Sequence, residues 1–123
     1  MADGAWSTWQ RSAHWRLTAV RVRLIGDMGA YLQLVTPGVP LLGAFLYAGV
    51  YELPKAYDFS CTSVFTNMTP TDAYRGAGRP EATYAIERAM DTLAAEIGID
   101  PLELRRRNFI PTEAYPYEAM TGL

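Results

Sequence analysis

A glycine-rich turn that runs straight into a long amphipathic helix constrains this chain more than any other stretch. The segment from residue 66 to 97 reads TNMTPTDAYRGAGRPEATYAIERAMDTLAAEI. Gly76 and Gly78 lack a Cβ atom, so they permit a sharp turn and a close approach of a ligand to the backbone. Pro80 suits the first turn of a helix, where its missing N–H costs nothing. The sequence therefore predicts a strand, a tight loop and then a helix.

The start of that helix is a favourable place for an anion or an oxo group. Its first N–H groups have no intrahelical partner and carry the positive end of the helix dipole. Arg75 and Arg79 add two positive charges beside the turn. The alternative is a purely structural turn in which both arginines form salt bridges. The residues alone leave the two interpretations open.

Two segments alternate between apolar and polar residues, which predicts half-buried strands near 17–28 and 56–66. Cys61 falls on an apolar side, so we expect a small buried hydrophobe and not a reactive thiol. The apolar sides consist of Val20, Val22 and Leu24 in the first strand and of Tyr57, Phe59, Cys61 and Phe65 in the second.

Two helices are predicted after the loop, near 80–97 and 101–108. Gly98 stands where a helix C-terminus favours glycine. Asp100 is the expected N-cap of the second helix and forms a capping box with Glu103. The arginines at 105–107 lie in its last turn, where cations complement the dipole, so they require no phosphate or nucleic acid. The fold class is therefore α+β. The apolar stripe of the first helix consists of Ala82, Ile86, Ala89, Leu93 and Ile97.

Residues 32–50 form the most apolar part of the chain. Residues 40–47 predict a short buried helix, because Leu41, Ala44, Phe45 and Ala48 keep helical spacing. Glycines and prolines interrupt the stretch, and it is shorter than the roughly 20 residues that a membrane span needs. We therefore expect no span, and we expect this helix to be covered by polypeptide that lies outside the chain.

Residues 1–16 differ in pattern from the rest of the chain and are left unassigned, whereas residues 17–123 form the predicted domain. We interpret the lead as an expression remnant, a misassigned start or a frayed terminus. The alternative is an aromatic segment that packs on the domain or binds a partner. His14 has no second ligand at metal-binding spacing, so we expect no metal site there. The aromatic residues of the lead are Trp6, Trp9 and Trp15.

Composition excludes several classes of protein. The net charge of −2 gives no reason to expect nucleic-acid binding. A single cysteine, Cys61, excludes an intrachain disulfide and cannot alone form a cysteine metal site. No N-terminal signal pattern is present. These features predict a cytoplasmic protein.

The decapeptide AYRGAGRPEA, residues 73–82, resembles the active-site loop of the molybdenum hydroxylases. That family contains xanthine dehydrogenase, aldehyde oxidase and the large subunit of aerobic carbon monoxide dehydrogenase. Blocks on both sides are also similar and stand in the family's order. They are LTAVRVRLIGDMGAY at 17–31, GVYELP at 49–54 and AIERAMDTLAAEIGIDPLELRRRNFIP at 85–111. An isolated G-x-G would be a weak signal, but this ordered set is a strong one.

The resemblance implies a part of the molybdopterin-binding region of a large catalytic subunit. In the family this loop contacts the molybdenum–pterin centre, so Arg75, Gly76, Ala77 and Gly78 are the implied cofactor-binding residues. Tyr74 and Arg79 are the implied supports behind them. The implied cofactor is molybdenum–molybdopterin, in its cytosine dinucleotide form. Iron–sulfur clusters and FAD are implied on partner subunits, beside the remainder of the large subunit itself.

The implied activity is oxidation of an aldehyde or a heteroaromatic substrate with water as the oxygen source. The family's glutamate base has no match here, so no catalytic residue is assigned, and the chain alone is expected to be inactive. The copper-binding cysteine of carbon monoxide dehydrogenases is replaced by Gly76, which disfavours copper-dependent oxidation of CO. Ala77 replaces the aromatic residue of purine-oxidising relatives. The alternative is a non-catalytic interaction module whose turn only binds an anion.

Overall fold

Two parallel strands joined through a helix begin the fold, and a helical pair comes after them. The computed structural model describes residues 15–53 and 56–122. Within these residues the elements are β1 (Ala19–Asp27), α1 (Gly38–Leu46), β2 (Ala56–Val64), α2 (Arg79–Ile97), α3 (Pro101–Asn108) and a 3₁₀ turn (Thr112–Ala114). The α+β prediction and its order of elements are confirmed.

The two strands pair in parallel, from Ala19 opposite Ala56 to Asp27 opposite Val64. A parallel pair needs a long crossover, and the segment that contains α1 supplies it. Val20 is buried on the inner face, whereas Arg21 and Asp58 form an exposed ion pair of 2.7 Å on the outer face. The predicted alternation is therefore confirmed for both strands.

The placement of Phe65 on the apolar side is wrong. Strand β2 ends at Val64, and the backbone then turns so that the Thr66 N–H donates to the Gly29 carbonyl at 3.1 Å. Alternation ends where the chain leaves the sheet, and the side chain of Phe65 is 64% exposed. Cys61 is half-buried, whereas a buried side chain was expected, and the absence of thiol reactivity stays a prediction.

Helix α1 forms, and the described residues bury little of it; its cover by polypeptide outside the chain stays a prediction. Its buried residue is Gly43, whereas Leu41 is 53% and Phe45 is 49% exposed. The helix packs through its glycine side onto β2 and α2, which leaves the larger side chains on the other side. No helix among the described residues is long and apolar enough to cross a membrane.

Helix α2 buries four residues of the predicted stripe (Ala82, Ile86, Ala89 and Leu93), while Ile97 is partly buried. Met90 and Ala94 join the core. Gly98 ends the helix with a φ of 71°, as expected for a left-handed C-terminal glycine. At the next helix, Asp100 Oδ1 accepts the Glu103 N–H at 2.9 Å. The Glu103 carboxylate accepts from Arg107 Nε at 2.6 Å, so an ion pair takes the place of the returning half of the capping box.

Arg105 of α3 forms ion pairs with two residues of α2. Its side chain is 15% exposed and donates to Glu87 Oε2 and Asp91 Oδ1, both at 2.8 Å. Burial alone would lower the pKa of Arg105, but the hydrogen bonds to these two carboxylates outweigh it and raise that pKa. Tyr51 donates its hydroxyl to Glu87 Oε1 at 2.7 Å. The first arginine of the run thus joins two helices in addition to facing a helix dipole.

Asn108 ties the start of the described chain to α3. Its side chain is buried; Nδ2 donates to the Trp15 carbonyl at 2.8 Å, and Oδ1 accepts the Leu17 N–H. Trp15 also packs against the core. The end of the unassigned lead therefore packs on the domain, while Trp6, Trp9 and His14 lie outside the described residues.

Candidate functional site

The loop before α2 consists of two overlapping turns built on two glycines. Gly76 and Gly78 have φ values of 82° and 83°, in the left-handed region that favours glycine. The Ala77 N–H donates to the Tyr74 carbonyl at 2.9 Å, and the Arg79 N–H donates to the Gly76 carbonyl at 2.8 Å. The tight loop expected from the sequence is present.

The two glycines have different surroundings. A Cβ on Gly78 would lie 2.9 Å from the Val39 carbonyl oxygen and 3.3 Å from Leu42 Cβ, both in α1. A Cβ on Gly76 would meet only ring carbons of Pro80, at ordinary contact distances of 3.8 Å or more. Gly78 therefore allows the loop to pack closely against α1, whereas Gly76 is needed for its backbone conformation alone.

The loop leaves amide and guanidinium groups free. Considering residues 15–53 and 56–122 only, no hydrogen-bond partner is found for the N–H groups of Gly76 and Gly78. Within the same part of the chain, Arg75 and Arg79 are exposed and form no ion pair. The salt bridges of the purely structural alternative are therefore not found among the described residues, and the binding role of the turn stays a prediction.

A cleft of about 290 Å³ lies between the end of β1, helix α1 and the start of α2. Crevices outside the carboxyl ends of parallel strands are common ligand sites in α/β proteins. Gly78 and Glu81 contribute the wall on the α2 side. The other residues that line it are Leu24, Ile25, Gly26, Asp27, Met28, Thr36, Val39, Pro40, Gly43, Tyr47, Thr71 and Asp72.

The cleft is acidic, in contrast to the exposed end of the loop. Asp27, Asp72 and Glu81 supply three carboxylates, and neither Arg75 nor Arg79 lines it. Burial, followed by the Glu81 charge, raises the pKa of the Tyr47 hydroxyl above its ordinary value. One side of the loop, at Gly78, thus faces an acidic cleft, whereas Arg75 and Arg79 give its solvent-facing side positive charge.

The structure brings only part of the predicted site to the cleft. Gly78 is buried in its wall and Ala77 is half-buried, whereas Gly76 and Arg75 face solvent. Tyr74 is 89% exposed, and its role as a support stays a prediction. The cleft residues Thr36, Tyr47 and Asp72 were not predicted from the sequence. They come from separate segments, and no spacing in the sequence connects them.

A second, more open cleft of about 610 Å³ lies by the end of α3. Its wall contains Arg16, Arg106 and Arg107 with Phe109 and Tyr115. Arg16 and Arg107 are already paired with Glu52 and Glu103. This cleft does not include the loop.

Comparison with known proteins agrees with the loop's resemblance. The family model for the molybdopterin cofactor-binding domain matches residues 12–109. The γ subunit of the 6-hydroxypseudooxynicotine dehydrogenase complex of Paenarthrobacter nicotinovorans is 40% identical over 105 residues, which cover 85% of this chain and 13% of that protein. The carbon monoxide dehydrogenase large chain of Hydrogenophaga pseudoflava is 36% identical, with 87% and 14% covered.

Comparison with solved structures also finds members of this family. The crystal structure of quinoline 2-oxidoreductase from Pseudomonas putida 86 superposes with a TM-score of 0.75 at 36% identity, covering 89% of this chain and 14% of that one. The chain thus spans about one seventh of the length of such relatives. The chain belongs to the molybdopterin cofactor-binding domain family of the molybdenum hydroxylases.

Proposed function

We propose that this chain is the part of a molybdenum-dependent hydroxylase or dehydrogenase large subunit that holds the cofactor at residues 73–79. The observation that carries the proposal is a pair of loop amides, at exposed Gly76 and buried Gly78, that are unpaired within the described residues. Two exposed arginines, Arg75 and Arg79, lie beside them at the N-terminus of α2. Amides at a helix N-terminus bind anionic and oxo groups. Arginine adds fixed positive charge to such a site.

The donor set fits molybdopterin, which carries phosphate and an oxo-bearing metal. Arg75, Gly76, Ala77 and Gly78 would hold the group, with Tyr74 and Arg79 as supports behind them. When bound, the cofactor would supply oxidative hydroxylation with water as the oxygen source. The protein would supply its positioning and the surrounding electrostatic environment. Glu81 is not proposed as the base, since it lies on the helix after the loop and the matching family glutamate is absent.

We propose a heteroaromatic compound or an aldehyde as the substrate. Two relatives are named for heteroaromatic compounds: the 6-hydroxypseudooxynicotine dehydrogenase subunit and quinoline 2-oxidoreductase. Gly76 leaves no thiol for copper at that position, so copper-dependent CO oxidation is not part of the proposal, despite the similarity to carbon monoxide dehydrogenases. The cleft beside Gly78 is the proposed approach to the centre.

We also propose the partners that the family resemblance implies. They are the remainder of the large subunit, an iron–sulfur subunit and a flavin subunit that binds FAD, with the cofactor in its cytosine dinucleotide form. The γ-subunit name of one relative supports a multi-subunit complex. The proposed location is the cytoplasm, where reduced thiols such as Cys61 persist.

The test measures molybdenum and released pterin in the chain purified together with the polypeptides encoded next to it. Arg75→Ala removes one loop cation, and Gly76→Leu places a side chain on the positive-φ residue beside the free amides. We expect each change to lower the molybdenum content at least fivefold. Arg106→Ala removes an exposed arginine from α3 and is the matched control, with unchanged content expected.

If the assembled protein contains no molybdenum but its loop binds inorganic phosphate, the non-catalytic interaction module replaces the proposal. Equal molybdenum content in the Arg75 and Arg106 variants would also contradict a cofactor site at this loop.

A further inference from the structure

The chain between β2 and the proposed cofactor-binding loop lies along the end of β1 and the residues just after it. We define the upstream segment as residues 66–72. Its Thr66 N–H donates to the Gly29 carbonyl at 3.1 Å, and its Met68 carbonyl accepts the Ala30 N–H at 3.0 Å. These backbone hydrogen bonds continue the pairing of the two strands beyond their ends, so the upstream segment reaches the loop along a defined path.

We propose that Asp27 and Thr66 are positioning residues that hold the upstream segment, and through it the loop, in place for the cofactor; this inference rests on the proposed function. The Thr66 hydroxyl donates to the Asp27 carboxylate, with Oδ1 at 2.7 Å and Oδ2 at 3.0 Å. The same hydroxyl accepts the Met68 N–H at 3.3 Å. Hydrogen bonds to a carboxylate are stronger than those between neutral groups. One hydroxyl thus joins the end of β1 to two residues of the upstream segment.

The Asp27 carboxylate is itself oriented by the backbone. Its Oδ1 accepts the Gly29 N–H at 2.8 Å, the bond that aspartate forms with an N–H two residues on in a turn. Gly29 has a φ of 71°, and a Cβ there would lie 2.5 Å from Pro70 Cα. This turn therefore directs the carboxylate to Thr66 and brings the backbone at residue 29 against the upstream segment.

Both ends of the loop are held on β1 and α1. Upstream, the buried Thr36 hydroxyl donates to the Thr71 carbonyl, and the Thr71 hydroxyl donates to the Asp27 carbonyl at 3.4 Å. At the other end, Gly78 packs on α1. Between these ends, residues 72–76 are exposed. The loop is therefore an exposed arch whose position is set where its ends are held.

The arch is not held elsewhere within the described residues. Considering residues 15–53 and 56–122 only, the hydrogen bonds found for residues 73–77 stay inside the stretch 72–79. A displacement of about 1 Å at a site can reduce its function strongly, because binding groups must meet their target in the right geometry. Asp27 and Thr66 therefore act on the cofactor through the position of the loop.

The test compares Thr66→Val, which removes the hydroxyl and keeps the branched shape, with Thr66→Ser, which keeps the hydroxyl. Amide hydrogen exchange is measured on the assembled protein made in cells that produce no molybdopterin. The Ala77 and Arg79 amides close the two turns of the loop. We expect both to exchange at least fivefold faster in Thr66→Val and within twofold of the original rate in Thr66→Ser. Thr92→Val, which removes a hydroxyl that donates to the Arg88 carbonyl at 2.9 Å in α2, is the matched control and should leave both amides unchanged.

The opposite partner provides a second variant. Asp27→Ala removes the acceptor, and we expect at least fivefold faster exchange at the same two amides. Adding Thr66→Val to Asp27→Ala should change these rates less than twofold, because the contact is already lost. The proposal is overturned by a further fivefold acceleration in the double variant, by the original rates in Thr66→Val, or by fast exchange in Thr66→Ser. Faster exchange throughout α3 in Thr66→Val would show a general loss of stability and would overturn it as well.

Molybdenum content of the same variants, made in cells that produce the cofactor, connects the position of the loop with binding. We expect at least threefold less molybdenum in Thr66→Val and unchanged content in Thr66→Ser and Thr92→Val. Faster exchange with unchanged molybdenum content would contradict a positioning role for the cofactor.

The exchange measurement uses the empty form, so this inference and the proposed function can fail separately. If the original protein contains molybdenum and Thr66→Val keeps both its content and its exchange rates, only the positioning role is contradicted. If no molybdenum is found in the original protein, the cofactor site is contradicted, whereas faster exchange in Thr66→Val still supports the hold of Asp27 and Thr66 on the loop.

Discussion

At the level of single residues, the two glycines of the loop have nearly the same φ but different roles. Gly76 needs its hydrogen side chain for conformation, whereas Gly78 needs it for conformation and for contact with α1. In the sequence the two belong to one predicted cofactor-binding motif. Their difference depends on what packs beside each one, and a spacing pattern carries no information about that neighbour.

This difference predicts unequal losses of stability. Gly76→Ala forces an alanine into the left-handed region, and we expect a loss of about 1–2 kcal/mol in the free energy of unfolding. Gly78→Ala adds a Cβ that would lie 2.9 Å from the Val39 carbonyl, and we expect a total loss of about 2–5 kcal/mol. Urea denaturation of both variants measures the two values. Equal losses of stability in the two variants would show that close packing of Gly78 against α1 does not contribute.

At the level of helices and strands, the parts with local signals were predictable. Helix α3 has its N-cap at Asp100 and α2 ends at Gly98, because caps depend on residues adjacent in sequence. The parallel pairing of β1 with β2 was not predicted, since alternation assigns a face to each residue but no partner to the strand. For α1, apolar spacing predicted the helix but not that its glycine side would pack against β2 and α2.

Arg88 and Arg105 both pair with Asp91, but we expect their removal to change the free energy of unfolding by different amounts. Arg105→Met removes a mostly buried guanidinium shared by Glu87 and Asp91. We expect a loss of about 1–2 kcal/mol, reduced by the partial exposure of both carboxylates. Arg88→Met removes an exposed pair of 3.2 Å and should cost no more than about 0.5 kcal/mol. Thermal unfolding of both variants provides the comparison, and similar losses would contradict a contact between α2 and α3 centred on Arg105.

At the level of the whole chain, the family could be identified from ordered sequence blocks, but the cleft could not. The blocks are contiguous in sequence, as residues 73–82 show, whereas the cleft brings together the end of β1, helix α1, residues 71–72 and the start of α2. Such convergence depends on tertiary packing. The same packing leaves Leu41 and Phe45 of α1 exposed and both sheet edges open among the described residues. This agrees with a chain that spans about one seventh of the length of its relatives.

Amide hydrogen exchange at the loop of the assembled protein, with and without cofactor, decides whether the loop holds that cofactor. Expression in cells that make no molybdopterin gives the empty form. We expect the amides of Gly76 and Gly78, which are unpaired within the described residues, to exchange at least tenfold more slowly in the loaded form. The amides of the 3₁₀ turn (Thr112–Ala114), outside the loop, should be unchanged. Equal exchange at the two glycines in both forms would contradict a cofactor held at this loop.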